Sequence, residues 1–401
     1  MVRPVPATTA TTSPETANPI RWIRKNLFNT WYNSLLTVAA VAALAALAPR
    51  LARWAWHADW AVVSANMTLL LTGTYPRDQL WRLWAALLTV MSLFGLSAGA
   101  WRGNPRRWIG AAAVAAMLAT TGPFQAPARG WLLGTCAGVA AGFMLGRGLT
   151  AWRRALWRRV LVALWVVSVP WIYLLLHGWA GSSWLPRVGP SAWGGLTLTL
   201  VLAIVGIVAS FPLGILLALG RRSRLPAIRW VCTAYIECVR GVPLISILFM
   251  AQVLLPIFLP DYRIEHVVRA MVGITLFSAA YMAENVRGGL QGVPRGQIEA
   301  AHALGLNGIQ TLALIVLPQA LRAVLPAIVG QFISLLKDTS LVAVVGLLEL
   351  LGIARSVLAN PTWLGRQAEV YLFVAMVYFI FSFSMSSASR RLERALGLGE
   401  R

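Results

Sequence analysis

The sequence predicts an all-α polytopic membrane protein with about ten transmembrane helices. Three observations carry this. Of 401 residues, 58% are hydrophobic and 12% charged, about half of the ~25% charge typical of a soluble domain, and mean hydropathy is +0.68. The apolar residues fall in runs long enough to cross a bilayer. The formal charge of +22 is nearly all arginine and collects at the ends of those runs: Arg21, Arg24 and Lys25; Arg102, Arg106 and Arg107; Arg153, Arg154, Arg158 and Arg159; Arg221, Arg222 and Arg224; Arg390, Arg391 and Arg394. That is the positive-inside pattern of a membrane protein. Nucleic acid is therefore not an expected partner, although a soluble chain of this charge would suggest it.

Residues 1–30 read as a disordered, basic cytoplasmic segment, the first 19 being rich in Thr, Ala and Pro. An extension of about five spans follows over 31–190. Its apolar runs are about 31–48, 80–100, 108–122, 130–147 and 160–178. Residues 57–75 hold Asp59 and Asn66 and read as an interfacial helix on the far side of the membrane. The loop GWAGSSWLPRVGPSAW reads as an outward-facing linker. Five longer runs come next, about 191–219, 229–259, 266–284, 318–346 and 369–389. Glycines 194, 195, 206 and 214 permit close helix approach in the first of these, and Pro212 invites a kink. An even number of spans places both termini in the cytoplasm, with 391–401 as a cytoplasmic tail. Cys136, Cys232 and Cys238 all lie in apolar runs and read as small buried residues rather than a disulfide framework or metal site.

A P-loop needs Gly-Lys-Ser/Thr, because its lysine reaches the terminal phosphates. The two lysines here follow Arg24 and Leu336, so the chain has no such loop. No nucleophile–His–acid set and no metal-ligand spacing appears either, and catalysis in this chain is not expected.

The polar segment 285–318 interrupts two apolar helices. Pro294 suits the first turn of a helix that runs to Gly305, a C-terminal stop. Asn307, three residues before Gln310, forms a capping pair for a second helix, and Pro318 can open the next span. Ala300 and Ala301 offer a small-residue face, with Glu299 beside them. Two readings stand: a docking surface for another protein, or a solvated helical hairpin.

Glu299-Ala300-Ala301, three residues, Gly305, nine residues, then Ile315-Val316-Leu317-Pro318 resembles the EAA loop of bacterial ABC importer permeases in type and spacing. GGLTLTL at 194–200, YIECVRGVPLISILF at 235–249, YMAENVRGGLQGVPRGQIEAAHALG at 281–305 and QFISLLKDTSL at 331–341 resemble the polar amino-acid branch of that family, the histidine, glutamine, glutamate and arginine importers. The resemblance covers about 191–390, and the extension is similar to that of the long permease subunit of general L-amino-acid importers. The resemblance implies a five-helix permease core in the bacterial inner membrane that translocates polar L-amino acids inward. It implies a separate ABC ATPase that binds ATP and Mg, a second permease subunit and a periplasmic amino-acid-binding protein. Glu299, Ala300, Ala301, Gly305, Leu317 and Pro318 would couple to the ATPase. The extension favours a second permease of different sequence, since two such extensions would crowd the assembly.

Lys337 and Asp338 lie deep in an apolar run, where each would cost about 2.5–3.5 kcal/mol at the bilayer centre. Gln331, Ser334, Lys337 and Asp338 share one side at helical spacing. Either they line a substrate pathway, with Thr339 and Ser340 lending hydroxyls, or they form an inter-helix ion pair. Glu237/Arg240 and Glu284/Arg287 read as two i,i+3 pairs, structural or gating, and Gly241 and Pro243 break the helix beyond Arg240. Two rival functions stand beside import: a secondary transporter, for which Asp338 is almost the sole coupling acid, and a membrane scaffold that docks an ATPase without transport.

Overall fold

The computed structural model describes residues 22–23, 26–101, 110, 113–117, 120–121 and 126–397. The expected disordered residues 1–19, part of the expected span at 108–122 and the last residues of the tail lie outside them. Two compact units are present, residues up to Asp59 and residues from Trp60 onward. The first is dominated by one helix, α1 (Trp31–His57), opened by Thr30, whose side chain accepts from the Asn33 N–H.

Among its described residues the second unit is helical apart from loops and one isolated bridge between Gly195 and Glu349. Its elements are α2 (Ala61–Ala65), α3 (Met67–Thr72), α4 (Leu80–Ala100), α5 (Ala126–Trp152), α6 (Arg154–His177), α7 (Gly195–Arg221), α8 (Pro226–Arg240), α9 (Leu244–Phe249), α10 (Leu255–Phe258), α11 (His266–Gln291), α12 (Arg295–Ala303), α13 (Gly308–Gln310), α14 (Leu317–Ala323), α15 (Leu325–Asp338), α16 (Leu350–Leu358) and α17 (Gln367–Ala395). Among the described residues eight helices, α1 included, are long and apolar enough to cross a membrane. The pair α8 and α9–α10 passes the same test only when taken together, and it is bent by 105°, as a broken span or a re-entrant loop. The run at 229–259 is therefore not one straight helix. Proline cannot donate the backbone bond that a continuing helix needs, and the turn falls at Gly241–Pro243.

The run from 318 also breaks. Val324 leaves helical geometry at φ −103° and ψ 9°, and Pro326 sits in the first turn of the helix that follows. The long apolar helix thus opens at Leu325, not at Pro318, and α14 belongs to the polar segment.

Residues 61–72 form α2 and α3, whose apolar face is covered by protein. Val62, Val63 and Leu70 are buried in one cluster with Leu350, Ile353 and Val357 of α16 and Val370 of α17. Gly73 and Gly195 adopt positive φ, and a Cβ on either would strike backbone, of Gly194 and of Leu70 respectively. This close approach is what the glycines at the start of α7 permit. Thr197 Oγ1 donates to Leu71 O at 3.0 Å and locks the contact.

Two further clusters make the rest of the core. One joins α7, α9, α11 and α15 to Tyr75, Leu175 and Leu176 of the extension. The other, at the arginine-rich end, packs Ala218, Ile236, Met282, Val286 and Leu290 beneath Val316 and Ala320 of the polar segment. The cysteines are free; Cys136 and Cys232 are half-buried and Cys238 is exposed, so the expectation of burial fails.

Candidate functional site: hairpin, charge cluster and polar helix face

The polar segment folds as a helical hairpin. Pro294 precedes α12 and fixes its entry. At the other end, Gly305 N–H donates to His302 O at 2.9 Å and Leu306 N–H to Ala301 O at 3.1 Å. These two bonds, with Gly305 at φ +80°, form a Schellman stop. Asn307 and Gln310 then close a reciprocal capping box, with bonds of 3.0 and 2.9 Å. A wide π-helical turn over Thr311–Val316 leads into α14. Gln319 Nε2 donates to Gln297 Oε1 at 3.4 Å and ties the two arms together.

The faces differ from the expectation. Ala301 is buried and packs inward, whereas Ala300 is exposed; the outward small-residue face is Gly296, Ala300 and Ala303. Glu299 is exposed on that helix, Leu317 is half-buried and Pro318 exposed. At the tip, Leu304 is 81% and Ile309 80% exposed. Both are bare aliphatic side chains flanking a rigid turn.

Directly against the hairpin's base lies a cluster of five charges. Arg221 Nη2 is 2.8 Å from Glu237 Oε1, and its Nη1 is 3.4 Å from Glu284 Oε2. Arg240 Nη1 is 3.6 Å from the same Glu284 oxygen. Arg287 Nε donates to both Glu284 oxygens at 3.0 and 2.9 Å. The expected Glu284/Arg287 pair is thus present. The expected Glu237/Arg240 pair is replaced: Glu237 turns to α7 and Arg240 to α11. The cluster ties three helices together, and Arg222 Nη1 adds a bond to Leu290 O at 3.0 Å. Gly289 brings α11 against α14, where a Cβ would lie 2.5 Å from Ala320 O.

On α15, Ser334 and Lys337 are exposed on the side shared with Ala327 and Gly330, while Gln331 and Asp338 are half-buried. Lys337 forms no ion pair among the described residues. Thr339 is fully buried, and its hydroxyl donates to Leu336 O at 2.7 Å. Ser340 Oγ donates to Lys337 O at 2.8 Å. Both hydroxyls are engaged by backbone, and Thr339 is not on the accessible face.

A family model described as binding-protein-dependent transport system inner membrane component matches residues 210–397. The chain is 38% identical to the inner membrane amino-acid ABC transporter permease protein YhdY of Escherichia coli, over 94% of this chain and 93% of that protein. It is 39% identical to the glutamate/glutamine/aspartate/asparagine transport system permease protein BztC of Rhodobacter capsulatus, again over 94% and 93%. The chain belongs to the ABC transporter permeases. A solved amino acid ABC transporter with histidines aligns with half of the permease and 92% of its own chain, at 31% identity and a TM-score of 0.46.

The permease is a multi-pass inner-membrane protein, and the Glu299–Ala301 part of its family's EAA motif falls on α12, with Leu317 and Pro318 opening α14. Three site features escaped the sequence reading. Arg221 lies 16 residues from Glu237 and 63 from Glu284, so no local spacing signals it. Leu304 and Ile309 sit in a polar segment where an apolar residue reads as core. The break at Val324 did leave a signal, the Leu325-Pro326 step, since proline disfavours helix in the residue before it.

Proposed function

We propose that the permease carries polar L-amino acids inward across the membrane, driven by ATP hydrolysis in a separate subunit docked on the hairpin. The observation that carries this is the pair of exposed aliphatic residues, Leu304 and Ile309, held on a hairpin whose two ends are tied to α11 and α15. A rigid hairpin fixed in this way passes a push from a docked protein into the tilt of both helices. The charge cluster at its base, Arg221, Glu237, Arg240, Glu284 and Arg287, transmits that push to α7 and α8. The amino-acid substrate is supported by the relatives, which are named for amino-acid transport.

ATP and Mg bind the partner ATPase, since this chain has no Gly-Lys-Ser/Thr, and the permease itself catalyses no reaction. The arginine-rich end of the second unit faces the cytoplasm, because arginine is retained on that side during insertion, and the same rule applied to the sequence assigns the N- and C-termini to the cytoplasm. Glu299, Ala300 and Gly305 meet the ATPase. Ser334 and Lys337, with Gln331 and Asp338 at the margin, line the pathway where a second permease subunit of different sequence faces α15. A periplasmic binding protein delivers the amino acid.

The test is reconstitution of the permease with every subunit that copurifies with it, followed by uptake of labelled amino acids into proteoliposomes. Uptake that needs ATP and the ATPase supports the reading. Uptake without the ATPase makes the chain a secondary transporter, and ATPase binding without uptake makes it a scaffold.

A further inference from the structure

We infer that the end of the extension where α4 stops and α5 meets α6 is a binding surface for the phosphate groups of anionic phospholipid headgroups. It is independent of which substrate the permease carries.

Three helix ends come together there. Arg147 of α5 packs beside Gly99 of α4, where an added Cβ would lie 2.9 Å from Arg147 N. Arg158 of α6 lies over the ring of Trp101, the residue that closes α4, at 5.8 Å from the centroid. Arg147, Arg153, Arg154 and Arg159 are exposed and Arg158 is half-buried.

No acid lies near these arginines in the chain. The sequence carries no Asp or Glu between Asp78 and Glu237, and the first turn of α6 holds none. Arg147, Arg154, Arg158 and Arg159 form no ion pair among the described residues. The permease core is built differently: Arg221, Arg240 and Arg287 share Glu237 and Glu284. The positive-inside rule accounts for the side on which the arginines of the extension lie, not for their lack of acids. Crowded guanidinium groups repel one another until an anion joins them. A phosphate matches their paired N–H donors in geometry as well as in charge.

The surface that continues from the cluster identifies the source of that phosphate. Beyond Arg154 and Arg158, the same face of α6 runs through Val162, Val166, Val169 and Tyr173, at steps of three or four residues. All four are exposed, and on a membrane-spanning helix such a stripe meets acyl chains. The arginines therefore end a lipid-facing stripe at headgroup depth. Trp101, also exposed, suits the interfacial zone in which tryptophan collects. A basic cluster directly at the end of a span is a form in which anionic lipid is recognised.

The experiment titrates the full complex, purified in detergent and stripped of lipid, with phosphatidylglycerol and with phosphatidylcholine, and counts bound lipid by native mass spectrometry. Tighter binding of phosphatidylglycerol is expected. Arg154→Gln and Arg159→Gln should each raise its half-saturating concentration about fivefold, the worth of one arginine at the membrane surface. Arg154→Lys and Arg159→Lys should keep most of the affinity. Arg147→Gln, on another helix, should repeat the fivefold loss if the α6 variants fail to assemble. Arg224→Gln, at an exposed arginine of the core, should change the affinity little. Equal affinity for the two lipids, unchanged affinity in the glutamine variants, or an equal loss in Arg224→Gln overturns the surface. Displacement of phosphatidylglycerol by inorganic phosphate, but not by chloride of the same ionic strength, assigns the cluster to a free anion and overturns the lipid.

Discussion

Arg221 closes α7 on Glu237 of α8 at 2.8 Å, although Arg240 is the basic neighbour one turn away from that glutamate. The pairing makes the end of α8 answer to α7 rather than to itself. Glu237 is half-exposed, so a double-mutant cycle with Arg221→Gln and Glu237→Gln should give a coupling of about 0.2–1 kcal/mol. The same cycle between Glu237 and Arg240 should give none. Glu284 serves three arginines and is the more sensitive position. Glu284→Gln should cost about 1–3 kcal/mol and weaken import more than ATPase binding, read by chemical unfolding in detergent beside proteoliposome uptake.

The hairpin tip separates docking from folding. Leu304 and Ile309 are about four-fifths exposed, so Leu304→Asp and Ile309→Asp should leave the melting temperature of the isolated permease unchanged. If these are anchor residues, each change should cost at least about 2 kcal/mol of ATPase binding, roughly thirtyfold in affinity. Pull-down and surface-binding measurements with the partner ATPase check this. Unchanged affinity in both variants would place the ATPase contact elsewhere.

How much of this the sequence revealed follows from how local each feature is. The helical hairpin was legible because Pro294, Gly305, Asn307 and Gln310 each act within four residues. The order of the long helices was legible because lipid demands continuous apolar runs. The charge cluster was not, since its partners lie on three helices and only packing brings Arg221 to Glu284. The docking of residues 61–72 was hidden for a related reason. Val62, Val63 and Leu70 read as a weak amphipathic face, and the sequence does not say that α16 and α17 cover it.

Gly289 sets how closely α11 approaches α14. A methyl there would lie 2.5 Å from Ala320 O and 3.0 Å from Val324 Cγ1. Gly289→Ala should therefore destabilise by about 1–3 kcal/mol through overpacking. Gly288, next in the chain, has nothing within 4 Å of its added Cβ. Gly288→Ala should be neutral or stabilising by up to ~1 kcal/mol, the difference in helix propensity. The contrast between neighbours, read by thermal unfolding, isolates the helix contact from the backbone effect.

Lys337 distinguishes pathway from structural pairing. Its side chain is exposed on α15 and without an ion-pair partner among the described residues. Lys337→Met keeps the length and removes the charge. Uptake should fall at least about tenfold while subunit assembly and unfolding remain as in the wild type, the loss corresponding to ~1.4 kcal/mol at the barrier. A fall in stability of equal size would make Lys337 half of an inter-subunit ion pair instead.

Glu349 carries the pH dependence. It lies between the spans, fully buried, and caps α16 by accepting from Leu351 N–H and Gly352 N–H, each at 2.9 Å. Tyr378 OH donates to it at 3.1 Å and Thr199 Oγ1 at 3.3 Å. Burial pushes its carboxyl above the ordinary carboxylate value, opposed only in part by those four donors. The fold therefore prefers the neutral acid. This contribution to stability is complete below the ordinary carboxylate range and is lost as pH rises through the raised value. The melting temperature of the purified permease should fall across that window. Glu349→Gln presents a neutral group of the same shape; with its oxygen at the Oε2 position it keeps the bonds from Leu351 N–H, Tyr378 and Thr199, while Gly352 N–H, which donates to Oε1, loses its acceptor. It should flatten the pH dependence, with a melting temperature somewhat below that of the wild type at the acid end because of that lost bond. A variant whose melting temperature still falls over the same window would assign the titration to another group.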